Sequence, residues 1–277
     1  MKKLSIPQFQ KVILDWYKEN GRHELPWRET RDPYHIMVSE IMLQQTQVDR
    51  VIEKYKEFLK AFPTIKKLAS DSVYDLLKVW KGLGYNRRAL NLQKSAQKIL
   101  SDYGGIFPKT IEDIQKLPGI GPYTARAIAT FAYEQPQVFI ETNIRRIFIH
   151  FFFGDREGVS DDEITPFVKK ALWKKDPYTW YSALMDYGAT AMKDIPNPNK
   201  KSKHYARQSR FEGSRRYARA KILDCIMVQK KVSLGDVMSL CKKDPYLLPY
   251  QSQIGAILEV LVQEGFIVKK GLYWRVV

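Results

Sequence analysis

Cysteine is scarce in this sequence, which has only Cys225 and Cys241. Two thiols cannot build a disulfide framework, and they are too few for a four-cysteine zinc or iron–sulfur site within one chain. The sequence therefore predicts a protein of a reducing compartment, the cytosol by default, with no metal site and no iron–sulfur cluster or other cofactor.

Long apolar runs are also missing. No stretch approaches the roughly 18 uninterrupted apolar residues of a membrane span, and the first residues lack the apolar segment of a signal peptide. This disfavours secreted and integral-membrane proteins. We expect a cytoplasmic protein, associated with the nucleoid if it is bacterial, that makes no membrane contact.

Acidic residues are few relative to basic ones: 30 Asp and Glu stand against 46 Lys and Arg, a formal net charge of +16. Such an excess favours a polyanionic partner, most simply nucleic acid. Half of it lies in residues 197–221, which hold nine basic residues and one acidic residue. Tyr205, Phe211 and Tyr217 interleave with these cations, which suits contact with phosphates and sugars, although a solvated linker can carry the same charge.

Helical patterning is what the sequence has in abundance. Over the first 195 residues apolar side chains recur at helical spacing and two-residue alternation is rare, which predicts an all-α domain over residues 1–195. Residues 196–219 form a basic segment that we expect to contact DNA. Residues 220–277 predict three short helices and a terminal hairpin, the outline of a winged-helix-like module, and pattern alone leaves open whether this module touches DNA.

A glycine-rich turn lies between two predicted helices, in the run Leu117-Pro-Gly-Ile-Gly-Pro-Tyr-Thr-Ala125. Gly119 and Gly121 allow a tight hairpin with unobstructed backbone N–H groups, which can seat a phosphate oxygen. The run resembles the helix-hairpin-helix element of DNA repair proteins. The alternative is a sharp helix connection that binds no ligand.

A wider resemblance covers roughly residues 8–190. In order and spacing, a set of motifs resembles those of the MutY family of adenine-removing DNA glycosylases, which belongs to the same helix-hairpin-helix superfamily as endonuclease III. This resemblance implies a helix-hairpin-helix glycosylase fold and a monomer that acts on double-stranded DNA containing a mispaired or damaged base. The motifs are Leu25-Pro-Trp-Arg28, Asp32-Pro-Tyr34, Val38-Ser-Glu-Ile-Met-Leu-Gln-Gln-Thr-Gln-Val48, Trp80-Lys-Gly-Leu-Gly-Tyr85, Arg88-Ala-Leu-Asn-Leu92 and the hairpin run.

Glu40 is the candidate general acid. It lies in a predicted helix over residues 34–46 whose side chains are mostly apolar, so we expect a partly desolvated carboxyl with a raised pKa, able to protonate a leaving purine. The alternative is a surface glutamate, or one paired with Arg28 or Arg88. The resemblance favours catalysis, and it implies that Gln44 and Gln45 enter the DNA and fill the gap left by an extruded base.

Glu141 stands where the family has an aspartate, in the run Glu141-Thr-Asn-Ile-Arg-Arg146. A carboxylate beneath the sugar stabilises the positive charge that develops as an N-glycosidic bond breaks. The side chain here is one methylene longer, so catalysis could be weakened, redirected, or retained on a shifted backbone. The alternative is that Glu141 only caps the following helix.

The resemblance implies several further site residues. Tyr123 lies where bifunctional relatives carry a lysine, so no Schiff base with the sugar is expected, although its ring could simply pack under the hairpin. Trp27, Arg28 and Asp186 match residues of the family's base pocket, although Trp27 could equally belong to the core. The expected DNA contacts are Gln44, Gln45, Tyr85, Gly119, Gly121, Lys200, Lys201, Arg207 and Arg210.

Two parts of the family pattern are missing. The four cysteines that hold an iron–sulfur cluster after the Asp186 region are replaced by the basic segment, and the family's domain for recognition of 8-oxoguanine is not recognisable in residues 220–277. The sequence predicts a monofunctional DNA N-glycosylase that removes adenine opposite guanine or 8-oxoguanine. The alternatives are a glycosylase for another base, such as thymine or uracil opposite guanine, and a catalytically inactive DNA-binding repair factor.

Overall fold

The computed structural model describes residues 4–206 and 209–277, and most of these residues are helical. The all-α prediction is therefore confirmed, with a small sheet near the carboxyl terminus. The helices are α1 (Ile6–Asn20), α2 (Pro33–Leu43), α3 (Val48–Ala61), α4 (Ile65–Ser70), α5 (Val73–Trp80), α6 (Arg87–Tyr103), α7 (Ile111–Gln115), α8 (Pro122–Tyr133), α9 (Thr142–Phe148), α10 (Asp161–Ala171), α11 (Pro177–Asp186), α12 (Arg215–Gln229), α13 (Leu234–Lys243) and α14 (Ile254–Gln263). The strands are β1 (Val232–Ser233), β2 (Ile267–Lys270) and β3 (Tyr273–Val276).

Local capping signals place many of the helix ends. The Thr110 side chain accepts a hydrogen bond from Asp113 N at the start of α7, and Ser160 forms a reciprocal capping pair with Glu163 at the start of α10. Gly104 ends α6 in the left-handed conformation, with φ 61°. These boundaries follow from residues that lie within a turn of the helix end, which is why the sequence predicts them.

One compact unit comprises residues 4–55 and 106–206. Its centre is α2, in which eight of the eleven residues are buried, and α2 packs against α8. Helices α9 and α11 complete the core, where the rings of Phe139 and Tyr181 stack with centroids 3.8 Å apart. This packing brings residues 40 and 123, which are far apart in the sequence, to the same place.

The other compact unit comprises residues 56–105 and 209–277. Helices α4 and α5 pack on α6, while α12, α13 and α14 accompany an antiparallel sheet with the strand order β1-β3-β2. Lys270 pairs with Tyr273 next to the turn of the terminal hairpin. This grouping by contacts differs from the sequence-based boundaries at residues 195 and 219, which stay a prediction.

Part of the predicted basic segment is packed within the first unit. Asn199 and Ser202 are buried, and Asn199 Nδ2 donates to the carbonyl oxygen of Thr142 at 3.0 Å. Val159 forms an isolated parallel bridge with Ser202. Residues 197–203 are thus fixed against the start of α9 and cannot act as a free linker.

Candidate active site

Three of the predicted site residues meet in the first unit. Glu40 lies on α2, Tyr123 lies in the first turn of α8, and Glu141 directly precedes α9. Tyr123 Oη donates a hydrogen bond to Glu40 Oε2 at 3.3 Å. The charge of Glu141 acts on both Glu40 and Tyr123. The structure therefore forms one cluster from two carboxyl groups and a phenol.

Glu40 is set up to hold a proton. Its residue is 8 % exposed, and burial raises the pKa of the carboxyl to about 7, with the nearby charge of Glu141 adding to the effect and the Tyr123 hydrogen bond opposing it. The sequence left open an ion pair between Glu40 and Arg28, but Arg28 pairs with Asp186. A carboxyl with this pKa is present in both protonation states near neutral pH, as a general acid requires.

Glu141 both caps a helix and belongs to the cluster. Its Oε1 accepts hydrogen bonds from Asn143 N at 2.7 Å and from Ile144 N at 2.9 Å, at the amino end of α9. Burial raises the pKa of Glu141, against the opposing effect of these N–H groups and of the nearby Arg145 charge. The two interpretations of Glu141 from the sequence are therefore compatible, because the helix cap holds the carboxyl beside Glu40.

A close contact at Gly188 fixes the backbone next to this cap. A Cβ atom at Gly188 would lie 2.6 Å from the carbonyl oxygen and 2.7 Å from the Cβ of Asn143. Arg146 Nη1 also donates to the Gly188 carbonyl oxygen at 2.7 Å. The position of α9, and with it that of Glu141, therefore requires a glycine at residue 188.

The glycine-rich hairpin leaves backbone donors available. Gly119 has φ 79°, and Gly121 is extended and begins α8 as its N-cap. Within residues 4–206 and 209–277, neither glycine N–H donates to a protein acceptor, and a Cβ at Gly121 would meet nothing within 4 Å. The turn is therefore open to an anion such as a phosphate oxygen.

The two glutamines lie just beyond α2. The helix ends at Leu43, whereas the sequence predicted it to continue to residue 46. Gln44 Nε2 donates to Thr124 Oγ1 at 3.3 Å, and Gln45 is exposed with φ 55°, an uncommon conformation for a residue other than glycine. The glutamines thus belong to the turn between α2 and α3.

The predicted base-pocket residues are mostly interior. Asp186 is fully buried, and its carboxylate binds Arg28 Nη1 at 2.6 Å and Arg22 Nε at 2.8 Å. Burial alone would raise the pKa of Asp186, but the two arginines outweigh it and lower the pKa. Trp27 packs edge-on against Tyr55. A base could therefore bond to Asp186 only by displacing one of the arginines.

A cavity of about 360 Å³ adjoins this ion pair in the first unit. Of the predicted residues only Arg28 lines it. The sequence predicted neither the rest of the lining nor Arg22, although only Glu24 separates Arg22-His23 from the Leu25-Pro-Trp-Arg28 motif. The lining residues are Leu14, Tyr17, Lys18, His23, Arg28, Tyr178 and Thr179.

The predicted basic contacts differ in their partners. Lys200 is exposed, and no residue of the described chain binds its ammonium group. Lys201 Nζ is held by Asp155 Oδ1 and by the Gly154 carbonyl oxygen, both at 2.8 Å, and Arg210 pairs with Glu212 at 2.7 Å. Arg207 lies outside the described residues. A phosphate can therefore reach Lys200 without competition from a carboxylate.

The described residues contain neither a group of metal ligands nor a membrane-spanning helix. Across residues 4–206 and 209–277, no three His, Cys, Asp or Glu side chains come together as metal ligands. No helix in the same ranges has the length and apolar character to cross a membrane.

Comparison with known proteins agrees with this architecture. Residues 38–174 match the family described as HhH-GPD superfamily base excision DNA repair protein. This part of the chain is an HhH-GPD domain. The resemblance inferred from the motifs is thereby confirmed, and the match includes Glu40, the hairpin and Glu141.

Curated relatives point to the same family. An adenine DNA glycosylase of Buchnera aphidicola is 40 % identical over 166 residues, and one of Mycobacterium tuberculosis is 43 % identical over 136 residues. These matches cover 60 % and 49 % of this chain, but only 45 % and 44 % of the relatives. The chain thus matches less than half the length of these relatives.

A solved structure shares the fold. A thermostable thymine-DNA glycosylase superposes with a TM-score of 0.62 at 26 % identity, and the alignment covers 71 % of this chain and 92 % of that one. The predicted helix-hairpin-helix glycosylase fold is confirmed.

Proposed function

We propose that the protein is a monofunctional DNA N-glycosylase of base excision repair that removes adenine mispaired with guanine or 8-oxoguanine. The observation that carries this proposal is the cluster of Glu40, Tyr123 and Glu141, in which burial raises the pKa of one carboxyl to about 7 while a helix end holds the other. The choice of adenine is supported by the curated relatives, which are adenine DNA glycosylases.

The cluster can supply both the proton and the negative charge that the reaction needs. Protonated Glu40 donates its proton to a ring nitrogen of the extruded base, the bond between base and sugar breaks, and its electron pair leaves with the base. The sugar becomes positively charged at C1′, and the Glu141 carboxylate stabilises that charge. Water then attacks C1′, and the proton that it loses restores the acid form of Glu40.

Tyr123 supports this cycle without forming a bond to DNA. Its hydroxyl donates to Glu40 Oε2, which stabilises the carboxylate left after proton transfer. A phenol cannot form a Schiff base with the sugar aldehyde, so the product is an abasic site on an uncut strand.

We assign the DNA contacts to a double-stranded substrate bound by a monomer. The open hairpin at Gly119 and Gly121 offers backbone N–H groups to a phosphate, and Lys200 offers an ammonium group with no carboxylate partner in residues 4–206 and 209–277. Gln44 and Gln45 would fill the space of the extruded base. The sequence has only two cysteines, too few for an iron–sulfur cluster. We propose that the packed residues 197–203 take the place of the segment that holds the iron–sulfur cluster in the family, without a cofactor.

A second substrate is favoured by one comparison. The thymine-DNA glycosylase that shares the fold aligns over 92 % of its length, which supports thymine or uracil opposite guanine as the alternative target.

A single-turnover assay tests the proposal and its alternative. The parent is incubated in excess with duplexes that carry adenine opposite 8-oxoguanine, adenine opposite guanine, thymine opposite guanine, uracil opposite guanine, or matched pairs only, and abasic sites are revealed by alkali. Release from the adenine duplexes is expected, and release from the thymine or uracil duplexes alone would establish the alternative.

The same assay decides between an enzyme and a binding factor. Binding without release from any duplex would contradict the glycosylase proposal. If Glu141→Asp then restored release, the longer side chain at residue 141 would be the cause of the loss. Strand breaks before alkali treatment, or trapping of a protein–DNA adduct by borohydride, would contradict the monofunctional assignment.

A further inference from the structure

An exposed aromatic residue in the second unit is held in an uncommon conformation. Tyr85 is 38 % exposed and has φ 47°, and it follows Gly82 and Gly84, whose φ values are 96° and 68°. Left-handed conformations at residues other than glycine are costly and persist where surrounding contacts fix them. The loop over residues 82–85 therefore needs contacts that hold it.

Part of that support comes from the neighbouring helices. Trp80 Nε1 donates to the Gly84 carbonyl oxygen at 3.0 Å, and Arg88 Nη2 donates to the Leu83 carbonyl oxygen at 3.0 Å. The Arg88 guanidinium carbon lies 5.4 Å from the ring centroid of Tyr85. These bonds fix the backbone of the loop and one cation beside the ring.

The hydroxyl of Tyr85 is held by the start of α12. Arg216, in the first turn of α12, donates from Nη1 to Tyr85 Oη at 2.7 Å, and its guanidinium carbon lies 5.9 Å from the ring centroid. Arg216 Nη2 donates to the Ser209 carbonyl oxygen at 2.9 Å. The guanidinium is therefore committed to protein acceptors and acts as a clamp.

A partly buried carboxylate connects the start of α12 to the loop. Glu264, at the end of α14, has a 10 % exposed side chain and forms ion pairs with Arg87 of α6 and Arg219 of α12. Burial would raise the pKa of Glu264, but the two arginines outweigh it and lower the pKa. Since Arg87 and Arg219 lie close in sequence to Tyr85 and Arg216, this bridge sets the distance between the loop and α12.

We propose that Arg216 is a positioning residue that presents Tyr85 to DNA, so that the loop over residues 82–85 and the start of α12 form one DNA-contacting surface. An aromatic ring beside cations can stack on a base or sugar, and a fixed ring loses less entropy on binding than a mobile one. The inference rests on the proposed function for its DNA partner. It assigns the start of α12 a role in positioning Tyr85 that no sequence motif shows.

A double-mutant cycle on duplex affinity tests this inference. Arg216→Ala and Tyr85→Phe each break the same hydrogen bond, and each is expected to weaken affinity by about 3- to 10-fold, the range of a hydrogen bond or an exposed cation–aromatic contact. The double variant is expected to be no weaker than the weaker of the two single variants. Arg216→Lys, which keeps a donor and the charge, is expected to recover part of the loss.

The salt dependence separates positioning from direct phosphate contact. If Arg216 acts through Tyr85, the slope of log affinity against log salt stays at the parent value in Arg216→Ala. A slope that falls by about 0.9, or single effects that simply add, would overturn the inference in favour of a direct phosphate contact. Unchanged affinity in both single variants would also overturn it.

Matched variants control for charge and folding. Arg215→Ala removes the same charge from the adjacent exposed position, so its effect measures the contribution of charge alone. Glu264→Gln should reproduce the affinity loss, whereas Glu259→Gln, an exposed change on α14, should not. Thermal unfolding of each variant checks that it folds. Binding is measured on an undamaged duplex, so a parent that releases no base would defeat the proposed function but leave this test decisive.

Discussion

Two buried carboxyl groups of the first unit have opposite electrostatic surroundings. Glu40 is buried with a phenol and a second carboxyl nearby, and burial raises its pKa to about 7. Asp186 is buried more completely, yet Arg28 and Arg22 lower its pKa. Burial thus does not decide the protonation state by itself, because the neighbouring charges decide whether the site holds a proton or a negative charge. The first arrangement suits proton transfer, and the second suits structural support.

The amide variant at Glu40 should show the largest effect, on catalysis. Glu40→Gln keeps the shape but removes the transferable proton, so we expect base release to fall by about 10²- to 10⁴-fold while duplex affinity is retained. For the parent, release should slow as the pH rises through about 7, where Glu40 loses its proton. Single-turnover rates measure both effects.

The matched control is Glu112→Gln, which changes an exposed glutamate of the same unit. It should release base at the parent rate. If Glu40→Gln released base at the parent rate, Glu40 would not be the general acid. The functional contrast between Glu40 and Asp186 would then be lost.

The amide variant at Asp186 should instead reduce stability. Asp186→Asn leaves Arg22 and Arg28 without the carboxylate that neutralises them, and removing one partner of a buried ion pair costs about 3–5 kcal/mol of unfolding free energy. Chemical denaturation gives the value. Asp15→Asn, which breaks an exposed pair with Lys11, should cost much less, because water screens an exposed ion pair. Equal losses in the two variants would mean that the Asp186 pairs contribute no more than surface pairs do.

The stability of Glu40→Gln should depend on pH in a defined direction. In the parent, the pKa of Glu40 rises on folding from its ordinary value of 4.5 to about 7. Below pH 4.5 the carboxyl is protonated in both states, whereas above pH 7 the folded state holds a charge that burial disfavours. Relative to the variant, the parent should therefore lose about 3 kcal/mol as the pH rises through this window.

Unfolding curves of parent and variant at several pH values between 4 and 8 measure this difference. Asp186 should show the opposite trend, because its pKa falls on folding and its stabilisation is lost as the pH drops. A stability difference between parent and Glu40→Gln that does not change with pH would contradict the raised pKa.

The smallest expected effect concerns phosphate contacts. Lys200 has no carboxylate partner among the described residues, whereas Lys201 is bound to Asp155. Lys200→Gln should lower the slope of log affinity against log salt by about 0.9, the value for one phosphate contact, and Lys201→Gln should lower it less. Duplex titrations at several salt concentrations measure the slopes. Equal slopes for the two variants would show that the Asp155 pair does not withhold Lys201 from DNA.

Local signals in the sequence predicted much of the fold. The Ser160 capping pair, Gly104 and the glycine-rich hairpin act within one helical turn, so they can be read without knowledge of the tertiary structure. Motifs in the sequence likewise predicted Glu40, Tyr123 and Glu141 as site residues. The raised pKa of Glu40 was expected because most side chains of its helix are apolar.

Contacts between distant residues could not be predicted in this way. Arg22 and Asp186 are 164 residues apart, and nothing near either residue reports the other. The end of α2 at Leu43 was also missed, because the residues that follow do not break a helix. Composition left open whether residues 197–203 are a solvated linker, because it does not reveal the bond from Asn199 to the distant Thr142.

Gly188 illustrates how mutational tolerance can be decided at a residue that carries no functional group. Because even a methyl group there would collide with the backbone of Asn143, every substitution must displace the first turn of α9 or the segment after α11. The neighbouring Glu141 would move with that turn, and a shift near 1 Å is enough to cost about a hundredfold in rate. Random mutagenesis scored by base release should therefore leave position 188 as invariant as the acidic residues, although nothing at this position could touch a nucleotide through a side chain.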